Sequence, residues 1–285
     1  MNLDLNKKYL ITGGSGFLGR GLISKLEKDN IKNLIVVSRN ESELMELKQK
    51  FPYVEILTGD ISDHFILEKA SVNVDGIFHL AAFKHVVLAE DNTTSCIKSN
   101  VLGTMNVLNA SLKHKMDFVI GISTDKAAQV NGVYGATKFL QEKLFKEYGM
   151  INDQTKYRTV RYGNVLYSTG SVLCKWKKNI QNNKEIIITE PNATRFYWSI
   201  EDAVDLIFNC LKFAKNSDPY LPEMKSMKMG DLLEAMMKKY SNGNRPNVKK
   251  IGLQRGENLH EIISENMPNS NDAQKYTIEE IIKLI

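Results

Sequence analysis

Thr12-Gly13-Gly14-Ser15-Gly16-Phe17-Leu18-Gly19 follows the apolar run Tyr9-Leu10-Ile11 and leads straight into an amphipathic stretch, residues 16–29. The Gly13-x-x-Gly16-x-x-Gly19 spacing meets three needs at once. One glycine makes a tight turn, one leaves the backbone open to a pyrophosphate, and one lets helix and strand pack closely. The helix start adds free N–H groups and a positive dipole end, so Ser15, Phe17 and Leu18 join the glycines as a dinucleotide phosphate cradle. Outward from this turn, β-branched runs at 8–12, 33–38, 54–58, 76–79, 118–123 and 159–162 alternate with helical patterns at 16–29, 41–50, 63–70, 98–113 and 134–148. Strands separated by helix-length spacers predict parallel βαβ units, hence an α/β fold with a doubly wound parallel sheet.

The rhythm breaks after Asn164, where Gly170, Pro191, Pro219 and Pro222 interrupt shorter elements before a last helix at 277–285. We expect a dinucleotide-binding domain from 1–164 plus 198–215, and a smaller C-terminal substrate domain from 165–197 plus 216–285. The run 241–246 reads as a surface loop within it. Met224, Met227, Met229, Met236 and Met237 read as filling that domain's core.

A chain of 285 residues, 42% hydrophobic and 25% charged, is ordinary for a globular protein, which excludes disorder, collagen and coiled coil. No stretch is apolar for long enough to predict a membrane span, and the polar start, Met1 to Lys8, does not read as a signal peptide. Cys96, Cys174 and Cys210 are widely spaced without a Cys-x-x-Cys pair, as expected of thiols in a reducing, cytoplasmic setting. The net charge of +5 is modest, and the densest basic cluster, Lys175-Trp176-Lys177-Lys178, reads as one helix face. Nucleic-acid binding would need a concentrated stripe with a reading motif, and neither is seen. His79, His85, His114 and His260 read as packing or surface residues, and no metal is expected.

The end of the second strand discriminates between cofactors. An acidic residue there accepts the ribose hydroxyls of NAD, whereas this chain has Ser38-Arg39-Asn40. With no carboxylate at that position, Arg39 and the Ser38 hydroxyl predict NADP. Asp60 and Ile61, after the third strand, are expected beside the adenine.

Ser123-Thr124-Asp125-Lys126 ends the apolar strand that starts at Phe118, so its side chains should emerge at the carboxyl edge of the sheet, where ligands bind. Downstream, Tyr134-Gly135-Ala136-Thr137-Lys138 places Tyr134 and Lys138 four apart on one helix face. Cations near the phenol would lower its pKa from about 10 toward use as a base. In the same way, Lys138 is expected to depress the pKa of Lys126.

With these blocks the sequence resembles the extended short-chain dehydrogenase/reductase superfamily, and within it the 5-inverting UDP-N-acetylglucosamine 4,6-dehydratases. The likeness is carried further by His79-Leu80-Ala81-Ala82-Phe83-Lys84-His85-Val86, Arg161-Tyr162-Gly163-Asn164-Val165, Gly170-Ser171-Val172, Thr194-Arg195-Phe196, Ser226-Met227-Lys228-Met229 and Gly256-Glu257-Asn258-Leu259-His260-Glu261. Membrane-attached relatives of the retaining type commonly carry Met where this chain has Tyr134.

The resemblance implies a mechanism. Tyr134 removes the proton of the hydroxyl at carbon 4 while NADP takes the hydride, leaving a ketone that acidifies carbon 5. Lys126 removes the carbon 5 proton, Asp125 protonates the departing carbon 6 hydroxyl, and the hydride returns to carbon 6. Reprotonation from the opposite face, also assigned to Lys126, inverts carbon 5. Thr124 steadies the oxygen at carbon 4, and simple epimerases and reductases lack the Asp125-Lys126 pair.

The resemblance further implies cofactor contacts from Leu80, Ala81, Lys84, Ser123 and Val165, and substrate contacts from Lys84, Asn164, Val172, Arg195, Arg255 and Glu257. Arg255 stands one residue off the family's usual arginine, Val130 replaces a common proline, and the C-terminus is shorter than is typical. The reading is a UDP-sugar enzyme, expected as a dimer or hexamer. A UDP-sugar epimerase or reductase, or an idle NADP-sensing module, is the alternative.

Overall fold

The computed structural model describes residues 3–243 and 245–285; Met1, Asn2 and Asn244, the last within the expected 241–246 loop, lie outside the described residues. Six parallel strands form the main sheet: β1 (Tyr9–Thr12), β2 (Leu34–Ser38), β3 (Glu55–Thr58), β4 (Gly76–His79), β5 (Phe118–Thr124) and β6 (Lys156–Tyr162). Their order is β3-β2-β1-β4-β5-β6, the doubly wound arrangement in which the strand order reverses beside β1. Every residue of β1 and β4 is buried, as parallel strands covered on both faces should be.

Helices α1 (Phe17–Lys28), α2 (Glu41–Lys50), α3 (His64–Ala70), α4 (Val86–Asp91), α5 (Thr93–Ile97), α6 (Gly103–Lys113) and α7 (Val133–Ile151) accompany these strands. One apolar layer packs Leu22, Ile23, Leu26 and Phe78 with Val204 and Ile207. The other face packs Leu67, Val107, Leu108 and Phe145 against Leu10 and Val119. Local chemistry sets the helix ends: Asn40 accepts from the Glu43 N–H at the start of α2, and Lys48 and Lys50 sit in its last turn.

The rest of the chain forms α8 (Val172–Gln181), α9 (Ile200–Phe213), α10 (Met229–Tyr240) and α11 (Ile278–Leu284), with short strands β7 (Asn164–Val165), β8 (Ile186–Ile188), β9 (Thr194–Trp198), β10 (Ser226–Lys228) and β11 (Val248–Lys250). A separate apolar core joins Leu173, Trp176 and Ile180 of α8 to Leu232 and Met236 of α10 and Ile281 of α11. By contrast, α9 packs on α1 in the first core.

Four local expectations need correction. The helix expected at 98–113 is a π turn, Lys98–Leu102, followed by α6, and α4 and α5 precede it where no element was expected. β6 begins at Lys156, because pairing with β5 recruits a charged stretch whose Tyr157 is fully buried. Lys175-Trp176-Lys177-Lys178 does not form one face: Trp176 is buried, Lys175 and Lys178 are exposed, and Lys177 lies over the Tyr167 and Tyr240 rings. Met224 belongs to the first core rather than the second, with Trp198 Nε1 donating to its sulfur at 2.8 Å. Among the described residues no helix is long and apolar enough to cross a membrane, and no His, Cys, Asp and Glu cluster could hold a metal.

Candidate active site

A cleft of about 490 Å³ runs along the carboxyl edge of the sheet, from the turn after β1 to α8. At one end the wall is backbone. Gly13 has φ +69°, and a Cβ there would stand 2.7 Å from Ala81 N; one on Gly19 would stand 2.4 Å from Gly14 Cα. Only glycine fits both places, so β1, the turn and α1 close on one another while the first-turn N–H groups stay available. Phe17, Leu18 and Gly19 line the wall, and the first turn of α1 carries no acidic side chain to oppose a phosphate. This cradle fits a dinucleotide pyrophosphate.

Ser38, Arg39, Asp60 and Ile61 line the same end, and although the end of β2 carries no carboxylate, Glu43 and Asp60 both stand on this wall. Glu43, one turn into α2, lines the cleft, and its Oε2 lies 3.0 Å from Ser15 Oγ, which is 2.7 Å from Ser38 Oγ. Arg39 is paired with Asp60 at 3.5 Å, and the guanidinium and the Ser62 N–H hold the Asp60 carboxyl below its usual range despite partial burial. Asn40 is not on the cleft wall; its side chain is spent on capping α2.

Further along lie Leu80, Ala81, Lys84, Ser123, Thr124, Lys126, Tyr134, Lys138, Asn164, Val165 and Val172, all on the wall. Lys84 donates to the Thr169 carbonyl at 2.9 Å, and burial lowers its pKa. The Ser123 hydroxyl is committed to Glu142, which also takes two guanidinium bonds from Arg161. Lys138 Nζ donates to the Ile122 carbonyl and to Gln141 Oε1, both at 2.8 Å, and burial pulls it down to about 8.

Asp125 lies behind this wall with its side chain fully buried. Its Oδ1 accepts from Thr124 Oγ1 at 2.8 Å and Lys126 Nζ at 3.1 Å, while Oδ2 has no partner. Burial raises its pKa, with the adjacent ammonium opposing the shift. Lys126 also faces Glu261 Oε1 at 3.3 Å. Burial alone would lower its pKa, but Asp125 and Glu261 together drive it well above the ordinary lysine value.

That finding corrects the expectation that Lys138 depresses Lys126. Lys138 is turned to the strand backbone, and two carboxylates outweigh it. Burial likewise pushes the Tyr134 phenol up to about 12, with Lys126 rather than Lys138, and the neighbouring Thr124, drawing it back.

Glu261 is a site residue that sequence reasoning missed. It is 1% exposed, held below the usual carboxylate range by Lys126 and Arg195 against its burial. The signal was the quoted Leu259-His260-Glu261 run, whose contact with Lys126 needs the folded C-terminal segment. Arg195 is buried too: Nη1 donates to the Thr194 and Leu259 carbonyls at 2.9 and 3.1 Å, and Nε faces Glu261 at 3.5 Å. Neither it nor Arg255 nor Glu257 lines the cleft; Arg255 is exposed, and Glu257 closes a turn by accepting from the Gln254 N–H at 3.0 Å.

Asn100 was missed as well. Itself fully buried on the π turn, it accepts from Phe83 N–H at 2.7 Å and donates to Phe83 O and Thr137 Oγ1 at 3.0 Å, tying the loop after β4 to α7. His79 sits between Thr12 and Thr104 at 2.8 and 3.0 Å. Thr104 gives its proton to the Asn100 carbonyl, so His79 is neutral with the proton on Nε2, and burial takes its pKa down to about 3.

Comparison with known proteins agrees with this geometry. The sequence pattern of the family described as Polysaccharide biosynthesis protein matches residues 9–283. A UDP-N-acetylglucosamine 4,6-dehydratase (inverting) of Campylobacter jejuni is 38% identical over 90% of this chain and 77% of its own length. A UDP-glucose 4-epimerase of Rickettsia bellii is 33% identical over 95% of this chain and 82% of its own. The X-ray structure of Pen from Bacillus thuringiensis superposes with a TM-score of 0.92 at 28% identity, covering 98% of each chain. With a glycine cradle, a Tyr134–Lys138 helix pair and an Asp125–Lys126 pair on one doubly wound sheet, the chain belongs to the polysaccharide biosynthesis family of the inverting UDP-N-acetylglucosamine 4,6-dehydratases, on the extended short-chain dehydrogenase/reductase fold.

Proposed function

We propose that the protein is an NADP-dependent UDP-N-acetylglucosamine 4,6-dehydratase that inverts carbon 5, feeding a 4-keto-6-deoxy sugar nucleotide to glycan synthesis. The observation that carries this reading is the Asp125–Lys126 pair, 3.1 Å apart, directly beside Thr124 and Tyr134. A bound nicotinamide would accept a hydride from carbon 4 and return it at carbon 6. Ser38 and Arg39 are the candidates for a 2′-phosphate, and the glycine turn for the pyrophosphate.

Tyr134 acts in its phenolate form, which the positive charge of a bound oxidised nicotinamide would favour against its burial, and takes the proton of the carbon 4 hydroxyl. The Thr124 hydroxyl, which at rest gives its one proton to Asp125 at 2.8 Å, would steady the oxygen left behind by turning that proton toward it. At rest Lys126 is an ammonium, so it becomes a base only by losing a proton to a neighbouring carboxylate. Transfer across the 3.1 Å contact to Asp125 makes a neutral amine and a carboxylic acid in one exchange. The amine then removes the carbon 5 proton, and the acid protonates the departing carbon 6 hydroxyl. After elimination the two groups stand again as an ion pair and one water is lost; the Lys126 ammonium then gives its proton to carbon 5, and the proton that Tyr134 took restores the ammonium and closes the cycle.

Exposed Ile97, Leu102, Met105, Phe139 and Leu140 lie on α5, α6, α7 and the intervening π turn, which pack on one another. They offer a homo-oligomer, dimer or hexamer, an apolar face to bury. Free thiols at Cys96, Cys174 and Cys210 suit the cytoplasm.

The Rickettsia relative makes epimerisation the second reading. Incubation with UDP-N-acetylglucosamine, followed by mass spectrometry and proton NMR in D2O, separates the two. Loss of one water with deuterium at carbon 5 is expected; an isomer of unchanged mass sinks the proposal.

A further inference from the structure

We infer that Arg161, clamped by Glu142, is a positioning residue for the acid–base pair: its grip on the Ile263 carbonyl keeps Glu261 against Lys126. This rests on the dehydratase reading and deepens it.

Tyr134, Lys138 and Glu142 recur at every fourth residue of α7, so one helix face carries the phenol, the ammonium and, a turn further on, a carboxylate. Arg161 stands opposite Ser123 in the β5–β6 register. Glu142 accepts from its Nε and Nη2 at 2.9 and 2.5 Å, and from the Ser123 hydroxyl as well. Little water reaches this fork, whose side chains are 11% and 5% exposed. The remaining nitrogen, Nη1, donates to the Ile263 carbonyl at 2.6 Å. A bidentate clamp fixes the plane of the guanidinium, so the place of Nη1 fixes that carbonyl in turn.

Ile263 lies two residues beyond Glu261. Ser270 bonds both the N–H and the carbonyl of Glu261, and Thr194 and Arg195 hold the Leu259 carbonyl, but all three belong to the smaller region. Asn131 reaches Asn258 from the larger region, at the surface. Arg161 adds a buried bond that ties the Glu261 segment to the sheet edge bearing Lys126. Around Lys126 stand Asp125, Tyr134 from α7, and Glu261 and Arg195 from the smaller region; the first three favour its ammonium and Arg195 opposes it. Were Glu261 to draw back, the ammonium would lose one of its two carboxylates.

The test is the pH–rate profile of dehydration in two variants. Arg161→Lys keeps the charge, but a single ammonium cannot span Glu142 and Ile263. Arg161→Met combined with Glu142→Gln removes the clamp as a neutral unit, leaving no unpaired buried charge and an amide oxygen for Ser123. Both should lose about tenfold in turnover, keep cofactor titration unchanged, and move the Lys126 limb to lower pH, the direction expected of Glu261→Gln. Glu142 also favours the Lys138 ammonium, so the shift must be common to both variants. Added to Glu261→Gln, Arg161→Lys should move the limb no further. An unmoved limb in either folded variant overturns the inference, as does a shift that adds in full to that of Glu261→Gln. If Arg161→Lys does not fold, the paired variant decides. Absence of water loss from UDP-N-acetylglucosamine with the unaltered protein sinks the dehydratase reading itself, whereas normal dehydration with an unmoved limb sinks the inference alone.

Discussion

At the nucleotide end of the cleft the working surface is backbone from one short run, Gly13 to Gly19, shaped by which residues lack a Cβ. At the sugar end it is side chains from segments far apart: Thr124, Asp125 and Lys126 after β5, Tyr134 and Lys138 on α7, and Arg195 and Glu261 from the smaller region. The first surface tolerates no added atom and depends on little else. The second tolerates changes of shape but depends on charge, because Asp125, Lys126, Glu261 and Arg195 share one buried corner. A backbone site can therefore be read from spacing, while an electrostatic site cannot.

The sharpest way to break that contrast is at the sugar end. Lys126→Ala should lower dehydration by about a thousandfold while cofactor titration remains unchanged, and Tyr134→Phe should block the first oxidation to a similar extent. Near-normal turnover of Lys126→Ala would remove the acid–base pair from the mechanism.

At the nucleotide end, Gly19→Val forces a Cβ to 2.4 Å from Gly14 Cα and should weaken cofactor binding by about a hundredfold. Retained binding in an isothermal titration would mean that the turn is not the cradle.

Buried His79 links the two ends and offers a test by pH. Its folded pKa of about 3 lies below the unfolded value of about 6.5, so the unfolded chain alone takes up the proton between them. Stability should fall as pH drops below about 6.5, by about 2 kcal/mol between pH 7.5 and pH 5, in denaturant titrations. His79→Gln should flatten that slope; an unaltered slope would place the titrating group elsewhere.

The smallest expected effect is Glu261→Gln, about a tenfold loss of turnover. Because the carboxylate favours the Lys126 ammonium, its removal should also move the limb of the pH–rate profile carried by Lys126 to lower pH. A lower rate with an unmoved limb would reduce Glu261 to packing.

Much of the larger region was legible because its signals are local. A short strand rich in apolar residues, a turn and a helix repeat from β1 to β5, and the structure reproduces those strands to within one residue at each end. The exceptions are informative. The π turn at Lys98–Leu102 carries no periodicity of its own, and Asn100 earns its place there only by reaching Phe83 and Thr137. Lys156 and Arg158 read as loop residues until the sheet edge pairs them.

By itself the sequence determined the doubly wound sheet, the glycine turn after β1, and the placing of Thr124, Lys126, Tyr134 and Lys138 at one edge, since each follows from spacing along a strand or helix. Only the tertiary structure decided which charges meet. It set Glu261 and Asp125 against Lys126, turned Lys138 onto the Ile122 carbonyl, buried Arg195, and brought Glu43 to Ser15. The physical reason is range: backbone geometry is fixed by neighbours in the chain, whereas the state of a buried ionisable group is fixed by whatever folding brings within a few ångströms of it.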